Sequence, residues 1–433
     1  MIEKTMPLWA SIPFVIMLAM IAVGPLTFHH WWENNRNKLI VSLVLGIPTA
    51  IYLIVQGLTD ALLHQVFYDY IPFIILLGAL FTITGGIHLK GDIQAKPTTN
   101  LIFLAIGAVL ASIMGTTGAA MLLIRPVIRT NSERKYKVHT ILFFIAIVAN
   151  CGGLLTPLGD PPLFLLYLRG ASFDWFLHMW PEWLFVNGVL LLIYLAVDTY
   201  FHKKEPASNI VADKTQIEPI RITGNINFLF LLGVVLSVAF LNQQYIHAIH
   251  DNHAFGFIRE IAIFAMAVLS LIFTKKSLRL ENKFTWEPIK EVAFLFLGIF
   301  VTMVPALKYL AENAASFGIE TPVQFYYATG ALSSFLDNAP TAVSFHNLAL
   351  GLGDLHIGGN IVAGIPEILL TAISVGAVFF GAMTYIGNGP NFMVKAIAEE
   401  NKIDMPSFFG YMIKFTLIVL LPVYIITQLL FIH

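Results

Sequence analysis

The sequence predicts an all-α polytopic membrane protein: two inverted repeats of five spanning helices, each with a re-entrant hairpin and a broken helix. Three observations carry this expectation. The 433 residues are 57% hydrophobic and 12% charged, with mean hydropathy +0.77, and apolar runs of about 20 residues, long enough to cross a bilayer, recur along the chain. Two short polar segments interrupt such runs and match one another. They read Thr156-Pro157-Leu158-Gly159-Asp160-Pro161-Pro162 and Thr384-Tyr385-Ile386-Gly387-Asn388-Gly389-Pro390-Asn391, offset by 228 positions. Gly and Pro break helices, and a break at membrane depth is tolerated only where it is buried or lines a polar cavity. Finally, Lys and Arg residues segregate by loop.

The elements follow in order. Repeat 1 covers 1–201, with spans near 7–26, 38–57 and 71–89. The stretch Pro7 to Leu26 is long enough to span and has no small-residue exit, so no cleavable signal is expected. A hairpin near 99–129 turns at Gly115-Thr116-Thr117-Gly118, its arms read as too short to span singly. A broken helix over 138–169 and an intact span near 183–201 complete the repeat. The polar stretch 202–225 reads as a linker. Repeat 2 covers 226–433, with spans near 226–241, 257–274 and 291–311, a hairpin at 323–350, a broken helix at 366–396 and a last span near 407–431. A hairpin returns to its own side, so each repeat crosses five times and the second is inverted. Paired interruptions in such repeats mark the binding site of a secondary transporter.

With these spans, 20 of the 25 Lys and Arg residues fall in one set of loops and only Lys4, Arg169 and Arg259 in the other; Lys308 and Lys414 lie within or near span ends. The positive-inside rule makes the first set cytoplasmic. The chain is then a multi-pass protein of the inner (plasma) membrane with both termini outside. The net charge of −1 carries little information here. The single Cys151 excludes an internal disulfide and a Cys-based metal cluster.

Asp160, in the first break, and Asp337, at the second hairpin tip, are the deepest acids. A carboxylate within the membrane costs about 2.5–3.5 kcal/mol on insertion and is a functional candidate by default. Low dielectric favours its neutral form and a bound cation its charged form, so the pair is suited to exchange H⁺ for a metal cation. Asp160 also suits a plain helix N-cap, because it precedes Pro161-Pro162. Its counterpart is Asn388, and that of Asp337 is Gly115, at the hairpin offset of 222. Oxygen donors cluster in the same segments: Thr116, Thr117, Asn150, Thr156, Asn338, Thr341, Thr384, Asn388 and Asn391. Such oxygens suit Na⁺, the expected ligands being Asp337, Asn338, Asp160 and Asn388; hydroxyls also serve as packing groups between membrane helices. No buried Arg that would clamp an anion is evident. Lys308 reads as snorkelling, and His346 as either a proton shuttle or a hydrogen-bonded core residue. The spacing of His247, His250 and His253 around Asp251 suggests a weak metal site in a loop.

These residues resemble the ion transporter superfamily, in particular its sodium:proton antiporter (NhaD-type) and arsenite-efflux (ArsB-type) branches, with a citrate transporter group close by. The most specific matches are Leu336-Asp337-Asn338-x-Pro340 and Gly152-Gly153-x-x-Thr156-Pro157-Leu158-Gly159-Asp160-Pro161-Pro162. The resemblance implies substrate and coupling-ion sites at the hairpin tips and breaks: Asp337, Asn338, Thr341, Asp160, Thr156, Thr384, Asn388 and Asn391. It also implies a homodimer. The chain departs from the pattern at Met114-Gly115-Thr116-Thr117, where related hairpins carry a Leu-Asp-Asn tip.

The leading expectation is a Na⁺ (or Li⁺)/H⁺ antiporter in which Asp160 and Asp337 alternate between proton and cation. The alternative is a citrate or other carboxylate transporter coupled to Na⁺ or H⁺, followed by arsenite efflux. No cofactor beyond these ions, no nucleic-acid partner and no enzymatic activity are expected: no nucleophile triad accompanies the acids, and Gly351-Leu352-Gly353 lacks a nucleotide-binding setting. The expected partners are the lipid bilayer and a small solute.

Overall fold

The computed structural model describes residues 5–215, 217–246, 253–353 and 359–433. The first half holds helices α1 (Ile12–Thr27), α2 (Asn35–Val55) and α3 (Ile71–Thr84), strand β1 (His88–Asp92), then α4 (Pro97–Met114), α5 (Thr116–Thr130), α6 (Val138–Ile147), α7 (Pro161–Leu168) and α8 (Trp180–His202). The second holds strand β2 (Glu218–Thr223), then α9 (Ile226–Phe240), α10 (Phe257–Phe273), α11 (Glu287–Glu312), α12 (Pro322–Ser333), α13 (Asn338–Gly351), α14 (Glu367–Phe380), α15 (Gly389–Glu400) and α16 (Leu421–Phe431). Many helices start at a proline in the first turn, as at Pro97, Pro161, Pro181, Pro288, Pro322 and Pro390. There the missing N–H has no intrahelical partner to lose. Thr321 and Gln324 add a capping box to α12. Gly115 takes φ +81°, a conformation that favours glycine, and so ends α4 and lets α5 begin one residue later.

The chain is an all-α polytopic membrane protein, with no closed sheet among the described residues. Eight helical stretches among the described residues are long and apolar enough to cross a membrane, and Ile226–Phe240 and Glu367–Met383 are shorter apolar helices. This differs from the ten spans read from sequence. One hairpin arm, α4, is 18 residues long, about 27 Å of helix, and is not too short to cross. The stretches near 226–241 and 257–274 form helices of 15 and 17 residues. Two spans contain π-helix, Gln65–Tyr70 before α3 and Met412–Leu420 before α16, which hydropathy cannot reveal.

Burial orders the helices. The Val138–Leu155 stretch is 83% buried and Asn35–Val55 only 28%, so the interrupted helices occupy the centre and the early spans the apolar rim. The cation-rich loops meet at one end: Lys90 pairs with Glu281 at 2.6 Å, Arg134 with Asp198 at 2.6 Å, and Lys135 N–H donates to Glu205. At the opposite end Arg169 approaches Asp69 and Arg259 donates to Tyr167. The stretch 202–225 is no bare linker. It contains a helix, Ala207–Thr215, and β2, which pairs antiparallel with β1 through Lys90 and Arg221. Two arginines are buried, and neither is placed to clamp an anion at the helix breaks. Arg134 joins Asp198, and Arg279 donates to the Thr82 carbonyl and Ser270. Both serve joints at the cation-rich end.

Candidate functional site

Four helix N-termini meet at the centre. Thr116 opens α5, Pro161 opens α7, Asn338 opens α13 and Gly389 opens α15, and all four border one cavity of about 110 Å³. The walls are completed by Leu77, Leu80 and Phe81 of α3 and by Pro288, Val292 and Phe296 of α11. Among the described residues no Lys or Arg lines it.

Each hairpin is braced to the break of its own half by equivalent bonds. Thr156 Oγ1 donates to the Ser112 carbonyl, and Thr384 Oγ1, 228 positions later, to the Ser334 carbonyl. The same threonine oxygens accept from Leu158 N–H and Ile386 N–H. Backbones touch at the breaks. A Cβ on Gly159 would lie 1.9 Å from the Gly153 carbonyl oxygen, and one on Gly387 2.6 Å from that of Gly381. Glycine is required there by close approach. Thr116 N–H completes the first junction by donating to Gly159 O at 2.8 Å.

Asp160 is buried and caps nothing. Its backbone is extended ahead of α7, and its side chain makes no capping bond. Instead Oδ1 accepts from Thr116 Oγ1 at 2.8 Å and Asn388 Nδ2 at 3.1 Å, and Oδ2 from Asn338 Nδ2 at 2.6 Å. The plain N-cap reading fails because three donors from distant segments reach the carboxylate first. Asp337 takes the capping role: it accepts from Ala339 N–H at 3.0 Å at the start of α13. It also lines the cavity, whereas Asp160 sits behind the wall.

The predicted site residues therefore separate. Thr116, Thr117, Asp337, Asn338 and Asn388 face the cavity. Thr341 turns back to the Asp337 carbonyl. Thr156 and Thr384 are spent as braces. Asn391 supports from behind, accepting from Asn150 Nδ2 at 2.6 Å and donating to Gly381 O and Thr384 O. These four do not line the cavity, and of the expected Na⁺ ligands Asp337, Asn338 and Asn388 line it and Asp160 does not. The sequence carries Gly153 in a matched motif, but gives no site role to it, Ser112 or Ser334, which act mainly through backbone carbonyls and, at Ser112, a hydroxyl donating to Gly152 O. Cys151 Sγ lies 3.4 Å from Tyr424 Oη and does not line the cavity. His247, His250 and Asp251 lie outside the described residues.

A helix N-terminus carries about half a positive charge; four together contribute about +2, against two carboxylates. The cavity is thus close to electrically balanced. It suits an anion accompanied by cations better than either alone.

No curated protein matches the chain. A family profile described as "Putative citrate transport" matches residues 3–432. With nearly every residue inside that match, the chain belongs to this citrate transport family.

Proposed function

We propose that the protein is a secondary transporter of a small polycarboxylate of the citrate type, coupled to Na⁺ or H⁺. The observation that carries this reading is the meeting of four helix N-termini at one cavity, since such ends favour anionic groups. Family membership supports it. Substrate carboxylates bind backbone N–H groups in the first turns of α5, α13 and α15, while α7, which opens on Pro161-Pro162 and has no free N–H there, contributes its dipole alone. Asp337, with the amide oxygens of Asn338 and Asn388 and the hydroxyls of Thr116 and Thr117, holds the coupling cation. Asp160 fixes the orientation of the three side chains that bind it. The two halves act as inverted repeats, with the cation-rich end cytoplasmic and both termini outside.

Accumulation of radiolabelled citrate by proteoliposomes under an imposed Na⁺ or pH gradient tests this. Uptake should exceed that of empty liposomes and collapse with the gradient. Absence of citrate accumulation under either gradient would rule the reading out.

One observation favours a second reading, Na⁺(Li⁺)/H⁺ antiport: the cavity wall bears a carboxylate and, among the described residues, no Lys or Arg. Everted vesicles would then dissipate ΔpH on addition of Na⁺ or Li⁺ without any carboxylate present.

A further inference from the structure

A second, larger cavity of about 890 Å³ lies at the cation-poor end. Its position is linked to the central site by two helices. α7 starts at the central cavity and ends beside Arg169, and α13 starts there and carries His346 and Asn347 to the larger cavity. Eight helical residues separate the two levels, about 12 Å of rise.

The cations of this end gather here. Sequence places Lys4, Arg169 and Arg259 in its loops and Lys308 late in a span. Arg169, Arg259 and Lys308 all line the cavity. Each has a carboxylate neighbour: Asp69 at 3.4 Å, Glu260 at 2.5 Å and Glu312 at 3.3 Å. Among the described residues only Asp69 shares the wall; Glu260 and Glu312 stand behind it. The cavity therefore presents its positive side inward.

Among the described residues one buried polar atom there has no partner. His346 is 1% exposed and Gln65 6%. His346 Nε2 meets the Ala363 carbonyl at 2.8 Å; this contact makes Nε2 the donor and leaves a lone pair on Nδ1. His346 Nδ1 lacks a hydrogen-bond partner, while the Gln65 side chain faces the Asp69 carboxylate, and all three residues line the cavity. Gln65 is presented by the π-helix Gln65–Tyr70, a form frequent at functional sites. Buried polar groups are normally paired, so an idle acceptor beside three cations describes a ligand. It carries carboxylates for the cations and an O–H for His346.

We propose that this cavity is a second binding site, an antechamber that collects a small hydroxy-polycarboxylate anion before it reaches the central cavity. It rests on the carboxylate-transport reading for its ligand, and its charge can be tested without transport.

Ser172 lines the cavity and is half-buried, and native Cys151 is buried, so Ser172→Cys supplies a single accessible thiol. Its reaction rates with an anionic and a cationic methanethiosulfonate, each normalised to a free thiol, report the local potential. At low salt the anionic reagent should be favoured about fivefold or more, and high salt should erase the preference. Lys308→Gln and, independently, Asn347→Asp should reduce it. Excess citrate should slow labelling more than tricarballylate, which lacks the hydroxyl. Equal rates for both reagents, or a preference indifferent to both substitutions, would overturn the antechamber; equal protection by the two carboxylates would overturn the role of His346. Charge preference without citrate flux would uphold anion capture and reject the carboxylate-transport reading. Citrate flux without charge preference would do the reverse.

Discussion

Asn338 donates its side-chain amide to Asp160 at 2.6 Å, joining positions 178 residues apart at the centre of the molecule. It is the donor that Oδ2 receives, whereas Oδ1 receives both Thr116 and Asn388. The two oxygens therefore differ in what they lose. Asn338→Ala leaves a buried acceptor unpaired and should cost about 1–3 kcal/mol. Thr116→Val leaves Oδ1 with Asn388 and should cost less. Thermal unfolding of both variants in one detergent checks the order; a larger loss for Thr116→Val would contradict it.

Asp337 combines a cap with a cavity position. Asn caps as well as Asp, so Asp337→Asn should hold stability within about 0.5 kcal/mol, while Asp337→Ala should lose about 1 kcal/mol. Both should abolish the cation dependence of citrate binding, measured by titration calorimetry with and without Na⁺. Retained dependence in Asp337→Asn would place the cation elsewhere.

The glycine contacts give a graded test. Gly159→Ala forces a methyl into the Gly153 carbonyl, and Gly387→Ala into that of Gly381. Overpacking of this kind costs about 1–3 kcal/mol or more, with Gly159 the worse case. A methyl added at Gly389 would meet nothing within 4 Å, so Gly389→Ala should be near neutral. Fluorescence-detected chromatography across a temperature series reads all three.

A pH effect is expected where β1 meets β2. Burial, with Glu133 and then Asp213 and Glu218 nearby, pushes Asp92 up to about 6 from an ordinary 3.8, with Arg129 opposing. The folded chain then holds a proton between those values that the unfolded chain releases. Stability from this site is present below about pH 4 and lost as pH rises through 6. Asp92→Asn should remove the trend. Amide exchange over 88–92 and 218–223, corrected for intrinsic rates, should show protection of the variant over wild type growing from about pH 4 to about 6 and level above that. A constant difference across pH would count against it.

The sequence made the interruptions legible because Gly and Pro act locally: Gly159-Asp160-Pro161-Pro162 stops and restarts a helix whatever surrounds it. The division of labour between Asp160 and Asp337 was not legible. Capping is decided by which donors arrive, and those at Asp160 come from 44, 178 and 228 positions away. The β1 and β2 strands escaped notice because segments of five and six residues in polar loops carry too little alternation. The larger cavity was hidden for the same reason as the Asp160 contacts: Arg169 and Asp69 are 100 residues apart, and nothing local to either announces the other.

The amide bonds at the centre have a mechanical corollary. Thr156 and Thr384 close contacts inside their own halves. Asn150 to Asn391, Asn388 to Asn150, and the amides on Asp160 run between halves. Interhelical side-chain bonds in bilayers average about 0.6 kcal/mol, so this handful sums to roughly 2–3 kcal/mol. A difference in ligand affinity of about a hundredfold is as large. The central amides are therefore a zip weak enough for one small solute to part, while β1 on β2 and Arg279 on the Thr82 carbonyl keep the halves joined at the cation-rich end.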